Sequence, residues 1–154
     1  MRALLRSTVL ALALTAACID APTAVSIEET IFDPSLGVDL AQSTKLFPSG
    51  LYYRDLTVGT GTTLAPGQTV GVRYALYFPN GQLVESNPAP APVFPFRLGI
   101  GEVIQGWDQG IPGMKVGGRR QLIVPPELAY GSRGQGQIPG NAVLVFVVDA
   151  ISAQ

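Results

Sequence analysis

The sequence VIQGWDQGIPGM, residues 103–114, places the only tryptophan of the chain, Trp107, among glycines and aliphatic residues. An acidic residue, Asp108, follows it, and the 154-residue chain contains no histidine. The stretch has room for one or two helical turns, which persist only when packed against something else. A tryptophan in this position predicts either a packing element or a site whose chemistry needs no acid–base pair.

The composition excludes several classes of site. A chain with no histidine and one cysteine cannot build a zinc site of His and Cys ligands, a Ser-His-Asp triad or a Cys-His pair. The net charge of -1 and the lack of a basic run give no reason to expect nucleic acid as a partner. The GTGTT stretch at 59–63 lacks the residues of a phosphate-binding loop and predicts a turn. We expect no metal, nucleotide or redox cofactor.

Around the tryptophan stretch, the sequence reads mainly as strands. TVGVRYALYF, residues 69–78, alternates apolar and other residues with the period of a half-buried strand. Asn80-Gly81 after it predicts a hairpin turn in which both residues tolerate positive φ. Residues 142–152 read as a strand that is apolar on both faces, which predicts a position in the middle of the sheet. The class predicted is α+β, with several antiparallel strands and one short helix. The other candidate strands are residues 51–56, 94–99 and 119–125.

Residues 1–17 have the pattern of a signal peptide, with Arg2 and Arg6 before an apolar run and small residues. The apolar run, residues 9–14, is far shorter than the ~20 residues of a membrane-spanning helix. The single cysteine, Cys18, follows directly, and the arrangement resembles a bacterial lipobox. It predicts an exported, periplasmic protein anchored to a membrane by a lipid on Cys18. The alternative is a secreted protein cleaved near the same place.

The segment after the cysteine has the composition of a linker. Residues 18–47 contain five acidic residues, one lysine and two prolines, without sustained periodicity. They predict a flexible tether, with a short strand or docking segment around residues 31–40 as the alternative. The globular domain is predicted to span residues 48–154.

Three stretches occur in an order that resembles the FKBP-type peptidyl-prolyl isomerases. They are VIQGWDQGIPGMKVGGRRQLIVPPELAYG (103–131), IPGNAVLVFVVDAI (138–151) and GQTVGVRYALYFPNGQLVES (67–86). The resemblance covers residues 50–152. It implies an antiparallel half-barrel wrapped around one short helix, with a shallow apolar pocket between sheet and helix.

The resemblance also implies roles for individual residues. Trp107 would form the pocket floor, and Tyr130 would present its hydroxyl at the mouth. Tyr74 and Glu85 complete the expected catalytic set. For Phe96 and Phe146, a purely structural place in the core is the alternative. Of Asp108, Lys115, Arg119 and Arg120, at least three are expected to be solvated or strand-edge residues. The expected substrate-binding residues are Val84, Phe94 near the rim, Phe96, Val103, Ile104, Ile138 on an overhanging loop, and Phe146.

The chain departs from the family pattern after the hairpin. Val84-Glu85 stands where the family usually has Phe-Asp. Valine is smaller than phenylalanine and would leave a gap on one side of the pocket. Glu85 keeps the acid, and we expect Tyr74 and Arg97 as its partners.

The function implied needs none of the groups that the chain lacks. Rotation about an X-Pro bond breaks no covalent bond and moves no proton, and its barrier comes from amide resonance. The resemblance implies a prolyl isomerase that acts on unfolded or loop X-Pro segments of exported proteins, with apolar X preferred. It also implies macrolide-type ligands. The alternatives are a proline-peptide-binding chaperone module without turnover, favoured by Val84 and Glu85, and a structural lipoprotein domain with a vestigial pocket.

Overall fold

A computed structural model describes residues 26–154 as a seven-stranded antiparallel sheet packed on one short helix. The strands are β1 (Thr44–Lys45), β2 (Tyr52–Thr57), β3 (Thr69–Tyr77), β4 (Leu83–Ser86), β5 (Phe94–Arg97), β6 (Arg119–Val124) and β7 (Leu144–Ala153), and the helix is α1 (Gln105–Gly110). The strand order is β1-β2-β6-β7-β3-β4, and β5 pairs with the other half of β3. The predicted α+β half-barrel is therefore confirmed.

The last strand lies in the middle of the sheet, as its apolar pattern predicts. β7 is paired with β6 on one side and with β3 on the other. Phe146 packs in the main core towards α1, whereas its neighbour Val145 packs in a second apolar cluster on the opposite face. In the hairpin before β4, Gly81 has a φ of 84° and Asn80 keeps a negative φ. The expected turn is present there with one left-handed residue instead of two.

Close packing against the sheet explains why the tryptophan stretch contains two glycines, although glycine disfavours helix. Gly106 and Gly110 are four residues apart and so lie on the same face of α1, against β6. A Cβ atom at Gly106 would lie 2.5 Å from Val124 Cγ1, and one at Gly110 would lie 2.7 Å from Leu122 Cδ2. Both β6 side chains are completely buried and have no space to move into. Close contact between helix and sheet therefore requires glycine at both positions.

The segment before β1 packs on the outer face of the sheet. Ile27 is only 2% exposed and lies in a cluster with Tyr52, Ile123, Val143 and Val145. The prediction of a flexible tether is wrong for residues 26–47, and the docking alternative describes them better. The segment contains three 3-10 helices, Ile27–Glu29, Pro34–Leu36 and Leu40–Gln42, and its apolar residues Phe32, Leu36, Val38 and Leu40 flank the cluster.

The acidic residues that suggested a tether have local structural roles. Asp33 and Asp39 cap 3-10 helices by accepting hydrogen bonds from backbone N–H groups. Glu28 accepts hydrogen bonds from Lys45 and from the Tyr52 hydroxyl, and these bonds, with Lys45 as the main contributor, lower the pKa of Glu28 to about 2. Short 3-10 helices give no sustained periodicity, so the sequence pattern concealed an ordered segment.

The predicted signal peptide and Cys18 lie outside the described residues. Within residues 26–154, none of the helices combines the length and apolarity needed to cross a membrane.

The packed N-terminal segment gives a stability prediction. Ile27→Ala should lower the free energy of unfolding by about 2–5 kcal/mol, because it opens a cavity in a buried cluster. Ile31→Ala is the matched control, since Ile31 is 91% exposed, and it should change stability by less than about 0.5 kcal/mol. Urea denaturation of both variants measures the difference. Equal stabilities would show that the segment contributes nothing to the fold.

Candidate active site

One cavity of about 430 Å³ opens between α1, the inner face of the sheet and two loops. This volume is in the range of small-ligand sites. The structure brings eight of the eleven predicted catalytic and substrate-binding residues together around it, and their roles in chemistry stay predictions. The lining residues are Tyr74, Leu76, Glu85, Phe94, Glu102, Val103, Ile104, Trp107, Tyr130, Gln135 and Phe146.

Trp107 forms the centre of the cavity wall and is held by aromatic packing. Its ring centroid lies 5.2 Å from that of Tyr74 and 5.5 Å from that of Phe146, both nearly edge-on. Phe94 and Phe96 pack at 6.1 and 5.5 Å. Such pairs add stability beyond the area they bury. The indole Nε1 is buried and has no hydrogen-bond acceptor within residues 26–154.

The acid on β4 pairs with the tyrosine on β3, as expected, but not with the expected arginine. The Tyr74 hydroxyl donates a hydrogen bond to Glu85 Oε1 at 2.6 Å. Burial of the phenol, and then this bond, raise the pKa of Tyr74. Arg97 instead donates to the Gly67 carbonyl oxygen at 3.5 Å. The expected pairing with Arg97 is wrong because successive side chains of a strand point to opposite faces, and it is Phe96 that faces Trp107.

Two hydrogen-bond donors remain available at the cavity. The Tyr130 side chain lines it, and burial of the phenol, together with the nearby charge of Glu85, raises the pKa of Tyr130. The group therefore stays protonated at neutral pH and can donate. The second donor is the Ile104 N–H, which forms no hydrogen bond with any other group in the described part of the chain. The Ile104 carbonyl oxygen accepts from Trp107 N at 2.9 Å, which fixes this peptide group at the start of α1.

Three predicted substrate-binding residues do not line the cavity. Phe96 is 4% exposed and packs against the Trp107 ring, so the alternative of a purely structural place in the core describes it. Val84 is half-buried and packs against the core. Ile138 is buried in the core, and its backbone exchanges two hydrogen bonds with Gln135. These contacts present Gln135 to the cavity in place of Ile138, because the loop turns tightly at this point.

Three lining residues were missed from the sequence. Leu76 could have been found, because it lies two residues from Tyr74 on β3 and so on the same face. Glu102 adjoins the predicted pair Val103-Ile104, but an exposed glutamate beside an apolar pair gives no signal of its own. Gln135 carries no signal in the sequence, because its position depends on the loop hydrogen bonds to Ile138.

The loop before α1 is tied to the helix by Asp108. Both carboxylate oxygens accept backbone hydrogen bonds, from Gly99 N and Gly101 N, each at 2.8 Å. Glu102 Oε2 accepts a third, from Arg97 N at 2.7 Å. These bonds define the loop that leads into Val103 and Ile104. Asp108 is therefore a structural residue of the site. It is half-buried and not solvated.

Among the other charged residues near the site, Lys115 and Arg119 are exposed, as expected. Arg120 is 5% exposed and Asp108 is half-buried, so the expectation that at least three of these four charged residues are solvated is wrong. The Arg120 guanidinium pairs with Asp55 and donates to the Gly110 carbonyl oxygen at the end of α1. The ion pair is satisfied on several sides, which is the condition for a buried charge.

Comparison with known proteins identifies this architecture. The family model described as FKBP-type peptidyl-prolyl cis-trans isomerase matches residues 61–151, which is more than half of the chain. The chain belongs to this family. The match includes every residue that lines the cavity, and the segment that packs on the outer face lies before it.

Curated relatives extend the similarity at the level of sequence. Peptidyl-prolyl cis-trans isomerase FKBP53 of Arabidopsis thaliana is 41% identical over 135 residues, which are 85% of this chain and 28% of the relative. FK506-binding protein 4 of Rhizopus delemar is 50% identical over 110 residues, 71% of this chain and 28% of the relative. The chain thus spans less than a third of the length of these two FKBP proteins.

Solved FKBP structures share the fold. The crystal structure of AtFKBP13 has a TM-score of 0.65 and 41% identity, and the match covers 70% of this chain and 95% of that one. The crystal structure of FkpA from Escherichia coli has a TM-score of 0.67 and 33% identity, with 73% and 52% covered.

The carboxylate clamp at Asp108 gives a prediction for this FKBP site. Asp108→Asn replaces one acceptor by an amide that cannot accept from a backbone N–H, and should lower the free energy of unfolding by about 1–3 kcal/mol. Amide hydrogen exchange provides the local readout. Gly99 or Gly101 should exchange faster, whereas the Val147 amide in the centre of the sheet should keep its protection relative to global unfolding. Unchanged exchange at both glycines would contradict the clamp.

Proposed function

We propose that this protein is a peptidyl-prolyl cis-trans isomerase that accelerates rotation about X-Pro bonds in unfolded or loop segments of other proteins. The observation that carries the proposal is the position of Trp107 in the wall of an open, largely apolar cavity that Tyr130 also lines. A prolyl ring can lie against the indole while the hydroxyl reaches a carbonyl oxygen of the substrate.

The apolar surroundings supply the catalytic effect. Amide resonance separates charge between oxygen and nitrogen and creates the barrier of ~18–20 kcal/mol. Water stabilises this charge separation in the planar amide. In the twisted transition state the resonance is lost, and the separation of charge is smaller. Transfer from water into a cavity walled by Trp107, Phe146 and Ile104 therefore disfavours the planar ground state more than the twisted state, which lowers the barrier.

The two free donors supply orientation. The Ile104 N–H and the Tyr130 hydroxyl can each donate to a substrate carbonyl oxygen, which holds the chain on one side of the proline while the ring is held against Trp107. Rotation is then confined to the bond between them. Tyr74 is committed to Glu85 by its own hydrogen bond, and we assign this pair the task of fixing the cavity wall. We expect apolar X residues to be preferred, because the walls are largely apolar, and macrolide-type ligands to compete.

Exchange NMR on a short Ala-Leu-Pro-Phe peptide tests the proposal. The protein should accelerate cis–trans exchange far above the uncatalysed rate, whose time constant is tens to hundreds of seconds. Trp107→Ala should reduce kcat/KM by at least about ten-fold, and Ile31→Ala, at an exposed position on the outer segment, should leave it unchanged. Exchange at the buffer rate in the presence of folded protein would defeat the proposal.

A second candidate is a module that binds proline segments without turnover. Val84 favours it, because this residue is smaller than the family's usual phenylalanine and does not reach the cavity. The same NMR experiment separates the two candidates. Quenching or shift of the Trp107 fluorescence by the peptide, without acceleration of exchange, would favour the binding module. Absence of both effects would leave a domain with a vestigial pocket.

We propose further that the protein is exported and lipid-anchored in a bacterial periplasm. The support lies in residues 1–18, whose basic, apolar and small-residue regions precede Cys18. The relatives reported above include eukaryotic proteins and a bacterial one and do not favour either kind of host. Slow X-Pro isomerisation limits the folding of many chains, so an isomerase outside the cytoplasm would serve exported proteins. Mass spectrometry of the mature protein should show a lipid-modified Cys18 at its N-terminus; an unmodified N-terminal residue elsewhere would refute the anchor.

A further inference from the structure

The cavity is apolar at its base but carries negative charge on its walls. Two of its lining residues are the carboxylates Glu85 and Glu102, and no lysine or arginine of residues 26–154 lines it. Two acids alone would not define a site. Here they belong to a cavity whose Trp107, Tyr130 and Ile104 already provide the surface for a prolyl segment.

Both carboxylates lack a cationic partner within the described residues. The ion pairs of residues 26–154 join other groups: Lys45 with Glu28, Arg119 with Asp149 and Arg120 with Asp55.

Each acid also has one oxygen that accepts no hydrogen bond from the described part of the chain. Glu85 uses Oε1 to accept from Tyr74, and Glu102 uses Oε2 to accept from Arg97 N, so each side chain is held in place by its other oxygen. Arg97 and Arg133 are exposed and do not line the cavity. A bound segment would therefore meet two fixed and uncompensated negative charges.

We infer that Glu102, together with Glu85, makes this site selective for X-Pro segments that carry a lysine or arginine close to the proline. This inference rests on the proposed function and refines its substrate class. The apolar X residue still contacts the apolar wall. The basic residue lies before X or beyond the residue that follows the proline, and its charge faces the free carboxylate oxygens. Opposite charges at partly exposed positions contribute modestly, so we expect a preference of about two- to five-fold over a neutral residue.

Two pairs of peptides test the inference. One pair carries Lys or Gln directly before Leu-Pro-Phe, and the other carries Lys or Gln directly after it. Affinity is measured from the fluorescence of Trp107, the only tryptophan, and kcat/KM from exchange NMR. At about 10 mM salt, the Lys peptide of at least one pair should bind two- to five-fold more tightly. At about 1 M salt, where the screening length falls to ~3 Å, the ratio should approach one.

The variants assign the effect to the carboxylates. Glu102→Gln and Glu85→Gln keep an acceptor for Arg97 N and for the Tyr74 hydroxyl, but remove the charge. Each should reduce the Lys-to-Gln ratio, and the double variant should bring it to about one. Glu29→Gln is the matched control, since it removes one charge from an exposed position in the segment on the outer face of the sheet, and it should leave the wild-type ratio.

The outcomes separate this inference from the proposed function. Ratios near one for both pairs in the wild-type protein, or an unchanged ratio in the double variant, would overturn the inference even if the Gln peptides are isomerised. Absence of isomerisation would overturn the proposed function, and the affinity ratio would still decide the inference about charge.

Discussion

The close contact between α1 and β6 sets the position of Trp107 and of the cavity beside it. It exists because Gly106 and Gly110 leave no side chain between the helix and the buried residues Val124 and Leu122. With the helix against the sheet, Trp107, which directly follows Gly106, lies among the aromatic residues of β3, β5 and β7 instead of in solvent. The residues that weaken the helix locally are thus the ones that allow it to pack, and tertiary contacts stabilise a helix too short to form alone.

The same arrangement accounts for a site without acid–base groups. The indole is held by edge-on and tilted aromatic contacts, and its neighbours supply an apolar wall with a few polar groups in fixed positions. Tyr74 is occupied by Glu85, whereas Tyr130 and the Ile104 N–H remain free to donate. A site of this kind can change the solvation of an amide and orient its substituents, which are the two requirements of rotation about an X-Pro bond. It offers little to reactions that move protons.

Sequence patterns predicted the elements that obey a simple period. The alternation on β3 and the two-sided apolar pattern of β7 predicted the α+β class, and the resemblance of the motif around Trp107 to the FKBP-type isomerases implied the half-barrel and most of the cavity. Three of the features that escaped have clear physical reasons. The segment before β1 packs through short 3-10 helices, which have no long period, and its acids serve as caps. Gln135 lines the cavity where Ile138 was expected, because a tight turn between the two residues decides which of them faces it. The role of Asp108 is set by loop amides that no pattern of side chains records.

In the proposed complex, a prolyl ring lies against the indole of Trp107. Proton NMR of a bound Ala-Leu-Pro-Phe peptide tests this contact, because the ring current of an indole shifts protons that lie over its face to high field. The proline ring protons should show the largest upfield shift of any group in the peptide, and this shift should disappear in Trp107→Ala. Proline protons that keep their free shifts in the bound peptide, or a larger shift on another residue, would rule the contact out.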